Sequence, residues 1–238
     1  MTREIKRPEI RKNEILDAAQ KFFFQKGYEK TSIQDIINNL GIAKGTFYHY
    51  FTSKMDLLDK LSDRTTSEIS AAIKPIVDSD MDAIAKFNRF FREAAAIKMS
   101  RIDVLTVILK VIFKDENIII REKMYTRVVK KNVPMFSKII NQGVQEGLFK
   151  TPYPDEAAEM MLQIGRTLNA DISKLLLRKD ETLEHLLELI KKKTKMYEYT
   201  MEKILGAPEG SFKVYKPEDF EGMVRFIKKN LEQKNNNV

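Results

Sequence analysis

A chain of 238 residues with no cysteine and only two histidines excludes disulfides, thiol redox chemistry and any cysteine- or histidine-rich metal site, and it suits a reducing cytoplasm. With 42 Lys and Arg against 34 Asp and Glu, the formal net charge is +8, which permits a polyanionic partner without requiring one. Glycine (9) and proline (7) are scarce while 43% of the residues are hydrophobic, a balance that predicts an all-α protein with a sizeable core.

No apolar run approaches the roughly 18 residues of a membrane span, and the charged start of the chain is unlike a signal peptide. A soluble, cytoplasmic protein is therefore expected. Basic residues crowd positions 3–12 (Arg3, Lys6, Arg7, Arg11, Lys12), either as an arm reaching a nucleic-acid groove or as a frayed end. Pro8 then opens a predicted helix over about 9–26. Ile15, Ala18, Ala19, Phe22 and Phe23 give it an apolar stripe, and Gly27 stops it. Tyr28 is placed to fold back onto that stripe.

The next stretch, TSIQDIINNLG, is a compact helix with Thr31 or Ser32 as its cap and Ile33, Ile36, Ile37 and Leu40 on one face. Gly41 breaks it, and a second short helix follows over about 44–51. Two short helices joined by a glycine-containing turn are the helix-turn-helix signature. A long helix from about 54 supplies Leu57, Leu58 and Leu61 to pack on them, and Pro75 marks its expected end. Further helices are predicted over about 80–99 and 104–113, the second apolar almost all round, and over about 116–146 with a kink or break at Pro134. Two more, over about 155–177 and 181–205, are separated by so few residues that they must pack antiparallel. A turn-rich stretch leads to a last short helix over about 217–233, with Phe220, Met223, Val224, Ile227 and Leu231 at helical spacing, and 234–238 read as a frayed end.

Within the helix-turn-helix, Phe47 and Phe51 are four residues apart, share a face and read as core. Lys44, Gly45 and Thr46 begin the second helix, the end that meets base edges in this motif. Lys44 can donate to guanine or to phosphate, Gly45 allows close approach of the backbone, and Thr46 can touch a thymine methyl or a phosphate. Thr31 and Ser32 sit where free N–H groups suit a phosphate, and Lys54 offers it a charge. Tyr48, His49 and Tyr50 point partly elsewhere. One such domain contacts too few bases for high specificity, so a dimer on a near-palindrome is expected.

Residues 15–61, with their Ala- and Phe-bearing helix, Gly-Tyr, Thr-Ser-Ile, Leu-Gly-Ile, Gly-Thr-Phe-Tyr-His-Tyr-Phe and Lys-Met-Asp-Leu-Leu, resemble the TetR family of bacterial transcriptional regulators. Ala43 stands where that family often has Ser, and Ile37 where it often has Ala. The resemblance implies a helix-turn-helix DNA-binding domain over 1–60 and a larger helical ligand-binding and dimerisation domain over 61–238. It implies backbone contacts to a double-stranded operator at Tyr48, His49 and Tyr50. It also places a homodimer interface in 155–177 and 181–205, whose apolar residues (Ala158, Met161, Leu162, Leu168, Ile172, Leu175, Leu183, Leu186, Leu187, Ile190, Tyr197) exceed what one core face needs.

An unknown small-molecule effector is expected among the middle helices. Candidate wall residues are Phe87, Phe91, Phe113, Met124, Tyr125 and Met161, with Phe90, Met99 and Met160 beside them. The function implied is a repressor released from its palindromic operator by that effector. The alternative is a ligand-independent DNA-bound dimer that recruits protein partners. No catalytic, metal-binding or cofactor-binding motif supports an enzyme.

Overall fold

The computed structural model describes residues 7–178, 181–214 and 217–232, without the side chains of 217–220 and 231–232. Arg3, Lys6, the link at Lys179 and Asp180, the side chains of Phe220 and Leu231, and the terminal segment 234–238 lie outside the described residues. No strand occurs among those described, and no helix is long and apolar enough to cross a membrane.

Among the described residues, ten α-helices follow in chain order: α1 (Pro8–Gln25), α2 (Ile33–Leu40), α3 (Lys44–Tyr50), α4 (Lys54–Val77), α5 (Ala83–Ser100), α6 (Ile102–Ile112), α7 (Ile118–Gln145), α8 (Pro154–Leu177), α9 (Leu183–Leu205) and α10 (Pro217–Glu232). Caps set several starts. Asp82 accepts from the Ala85 amide at 2.8 Å, so α5 begins after it. Thr182 accepts from the His185 amide at 3.2 Å and starts α9. Helices α2 and α9 end in left-handed glycines, Gly41 and Gly206.

Two prolines behave differently from the expectation. Helix α4 passes Pro75 and ends at Val77, and α7 runs through Pro134 without interruption. A proline inside a helix forfeits one hydrogen bond and costs about 3 kcal/mol. Just beyond Pro134, α7 buries Phe136, Ile139 and Ile140 completely or nearly so, and packing of that size outweighs the loss.

The first three helices fold around Ile15, Ala19, Phe23, Ile36, Phe47 and Phe51, and Leu57, Leu58 and Leu61 of α4 close this core. It continues without a gap into Val104, Val107, Ile108, Val111 and Ile112 of α6, which makes α6 a helix buried on most of its surface. Helix α4 crosses residue 60 unbroken. A second core joins α4, α5, α7, α8 and α9 around Phe87, Phe136, Met161 and Met201, and a third joins α8, α9 and α10.

Candidate DNA interface and effector cavity

Helix α2 is fixed at its start by a reciprocal cap. The Ser32 hydroxyl accepts from the Asp35 amide at 3.1 Å, and the Asp35 carboxylate accepts from the Ser32 amide at 3.0 Å. The Ser32 amide foremost, and then the Ser32 side chain, hold the Asp35 carboxyl below its ordinary pKa. Gly41 then turns the chain with φ of 60°, and α3 starts at once. No side chain caps α3, because Ala43 occupies the cap position.

Helix α3 divides as its period requires. Phe47 and Phe51 are fully buried, with ring centroids 5.9 Å apart. Lys44, Gly45, Tyr48 and His49 are exposed, Tyr48 by 46%, while Thr46 and Tyr50 are half-buried. The Lys44 ammonium lies 6.0 Å from the Tyr48 ring, and His49 meets the Tyr50 ring edge-on at 4.8 Å. Gly45 is informative. Its φ is not positive, and a Cβ placed on it would meet nothing within 4 Å. Nothing in the fold demands glycine there, whereas Gly41 needs its left-handed turn.

Two expected contact residues are otherwise engaged. Thr31 is 1% exposed, and its hydroxyl donates to the Gly27 carbonyl at 2.8 Å and the Phe22 carbonyl at 3.2 Å. It ties the α1–α2 loop together instead of capping α2 or facing a phosphate. The Lys54 ammonium donates to the carbonyls of Tyr28 (2.7 Å), Thr31 (3.0 Å) and Glu29 (3.3 Å) and lies 4.4 Å from the Tyr28 ring centroid. Its three hydrogens are taken by that loop, so its side chain is a clamp rather than a phosphate ligand. The polar face of α2, with Gln34, Asn38 and Asn39 exposed, joins the same surface. Their place opposite Ile33, Ile36, Ile37 and Leu40 is the signal in the sequence that marks these three as surface.

Above this head lies a cavity of about 380 Å³, enclosed by α4 to α10. Phe91, Phe113, Met124 and Tyr125 line it as expected, with Phe90 and Met99. Phe87 and Met161 do not. Phe87 is wholly buried against Phe136, Phe149 and Phe212, one turn closer to the start of α5 than Phe91. Met161 is also wholly buried, and its carbonyl accepts from the Tyr197 hydroxyl at 3.3 Å. Met160 points out of the protein, 56% exposed.

The cavity wall is largely apolar, with few charges. Arg166 pairs with Glu122 and lies 5.3 Å from the Tyr125 ring. Lys98 donates to Asn169 at 3.3 Å, and burial lowers its pKa. Burial likewise raises the pKa of the Tyr125 and Tyr197 hydroxyls. Asn132 Oδ1 is buried without a partner among the described residues. No group of three or more Asp, Glu or His among them is arranged to hold a metal ion.

The apolar residues expected at a dimer interface on α8 and α9 mostly face inward. Ala158, Met161, Ile172, Leu175, Leu186, Ile190 and Tyr197 are buried within the chain, and Leu162, Leu168, Leu183 and Leu187 are partly buried against the same cores. Their number looks surplus in the sequence because periodicity cannot show that α9 and α10 supply partners for two faces at once. The outer face carries other residues: Glu156, Glu159, Met160, Gln163 and Thr167 on α8, and Lys192, Lys195, Met196, Tyr199 and Lys203 on α9.

The comparisons with known proteins agree with this architecture. A model of bacterial regulatory proteins of the tetR family matches residues 15–61, and one of the tetracyclin repressor-like C-terminal domain matches 107–191. The HTH-type transcriptional repressor KstR2 of Mycobacterium tuberculosis (strain ATCC 25618 / H37Rv) is 28% identical over 145 residues, covering 59% of this chain and 70% of the relative. The fatty acid metabolism regulator protein of Bacillus subtilis (strain 168) is 22% identical over 149 residues, covering 63% and 76%. Among solved structures, a TetR-family transcriptional regulator from Pectobacterium atrosepticum shares the fold at a TM-score of 0.63 and 17% identity, covering 87% of this chain and all of that one. A bacterial regulatory protein in the tetR family from Rhodococcus RHA1 does so at 0.51 and 19%, covering 84% and 98%. Helix-turn-helix head, helical body and family matches together show that the chain belongs to the TetR family of bacterial regulatory proteins and is a DNA-binding transcriptional regulator.

Proposed function

We propose that the protein represses transcription as a homodimer on a near-palindromic operator and leaves it when a small molecule fills the cavity. The observation that carries this reading is the course of α4. Its first turns supply Lys54, Leu57, Leu58 and Leu61 to the DNA-binding head, and its middle supplies Ser62, Thr65, Thr66 and Ile69 to the cavity wall. One unbroken helix thus touches both sites, and ion pairs brace it. Arg127 of α7 reaches Asp59 and Asp63, and Arg101 holds Glu68 at 2.6 Å. A ligand that fits one position of α4 better than another shifts the head by that difference in affinity.

The outer face of α8 and α9 supports the dimer. Glu156 and Glu159 on one helix and Lys192, Lys195 and Lys203 on the other flank Met160, Met196 and Tyr199, which are 56%, 61% and 49% exposed. A two-fold axis through this face sets acidic against basic residues around an apolar centre.

On the DNA, Lys44, Gly45 and Thr46 face the bases, while Ser32, Tyr48, His49 and Tyr50 face phosphates. Lys44→Ala is expected to weaken operator binding by about 1–3 kcal/mol while leaving the melting curve in place. Unchanged operator affinity would remove Lys44 from the reading surface. Gly45→Ala makes a sharper test. Alanine in a helix is favoured over glycine by roughly 0.5–1 kcal/mol, and the fold offers it open space. The variant is expected to melt no lower than the parent and yet to bind operator more weakly, because the added methyl meets DNA. Full affinity in a filter-binding titration would refute close approach at Gly45.

Footprinting of the upstream region of its own gene tests the whole reading. A protected palindrome, lost steeply as salt rises and released by a cavity ligand, is expected. A footprint indifferent to every molecule that raises the melting temperature would favour a ligand-independent DNA-bound protein.

A further inference from the structure

The cavity contains a cation that no described residue neutralises. Lys98, in the last turn of α5, lines it, and its ammonium has one polar partner among the described residues, the Asn169 side-chain oxygen at 3.3 Å. Burial lowers its pKa, and no carboxylate among the described residues contributes. The side chain is surrounded by protein and still keeps accessible surface, as a group on an internal wall does. The cavity's other cation, Arg166, is already paired with Glu122. A partly buried ammonium without a counter-ion is unfavourable, and the apolar wall to which Leu109, Phe113, Met124 and Ile172 contribute supplies no charge to offset it.

We propose that the cavity takes an amphiphilic carboxylic acid whose apolar chain fills the space and whose carboxylate docks on Lys98, with Asn169 beside it. Asn132 Oδ1 leaves an acceptor for a hydroxyl further along such a ligand. A pocket of about 380 Å³ falls within the usual range for small-molecule sites. This assignment rests on the effector reading above and names the chemistry of that same site.

The test uses the full-length protein with dodecanoic and hexadecanoic acids against the matched alcohols, followed by calorimetry and thermal shift. The acids are expected to bind at least about tenfold tighter than the alcohols, as a charge-assisted hydrogen bond would give. Lys98→Met should abolish that margin while keeping alcohol affinity, and Lys98→Arg should preserve it. Ligand-free Lys98→Met should melt at or above the parent, since it removes an uncompensated charge. A clear drop would assign Lys98 to the fold instead. Equal binding of acid and alcohol, a margin that survives in Lys98→Met, or no binding of either probe would overturn the proposal. Tight acid binding that leaves the DNA footprint unchanged would uphold the site and remove only the release reading.

Discussion

Truncating Phe47 to alanine is expected to cost about 3–5 kcal/mol, the usual range for a buried phenylalanine. Phe47 is wholly inaccessible and is packed between Phe51 and the edge of Tyr48, whose centroid lies 5.3 Å away. Helix α3 has only seven residues, too few to hold itself together in water, so Phe47 and Phe51 are what fix it to the head. Collapse around the gap is limited, because Ile15, Ala19, Ile36, Ile37 and Leu57 are at most 5% exposed and already close-packed. For a chain of this size the loss corresponds to a fall in melting temperature of roughly 6–20 °C. The neighbouring Tyr48→Ala, at a half-exposed position, should change stability by no more than about 0.5 kcal/mol and act on DNA binding instead. Equal denaturation midpoints for Phe47→Ala and the parent would contradict the division of α3 into an inner and an outer face.

That division was readable in the sequence because it depends only on the helical period. The same holds for most helix bounds, which caps such as Ser32 and Asp82 and stops such as Gly41 mark within a few residues. What the sequence withheld concerns partners distant along the chain. Thr31 and Lys54 look like DNA contacts until the α1–α2 loop is seen folded over them, 23 to 26 residues from Lys54 in sequence. Phe87 and Phe91 share a face of α5, yet one is sealed by Phe212 from the C-terminal segment while the other meets the cavity. Periodicity says that a face is covered, not by what. For the same reason the apolar residues of α8 and α9 could not be divided between core and interface. Lys98 gave no signal at all, since a lone lysine near a helix end reads as surface.

Ile227→Ala is expected to destabilise the docking of α10 by about 2–5 kcal/mol and to open one wall of the cavity. Ile227 and Val224 are 1% and 0% exposed, buried against Ile172, Leu175, Leu176, Leu186 and Ile190. Ile227 and Met223 also line the cavity. Around them α10 is fastened by polar contacts to backbone. Lys110 donates to the Asn230 carbonyl at 2.9 Å, and Lys228 donates to the carbonyls of Glu181 at 2.9 Å and Arg178 at 3.1 Å. Phe226 stacks on Phe24 of α1, with centroids 6.3 Å apart, so the helix bridges the DNA-binding head and the body. Neither family match reaches it, since they end at residues 61 and 191. An element docked through one apolar face can open locally without unfolding the remainder. The loss should therefore appear as faster amide exchange confined to α10, with α2 and α3 still protected, and as weaker binding of whatever fills the cavity. If exchange in α10 and affinity for the cavity ligand both stay at parental values, α10 is not a wall of the effector site. If exchange accelerates in α1 as well, the Phe24–Phe226 stack carries the state of the cavity to the head by a route that bypasses α4.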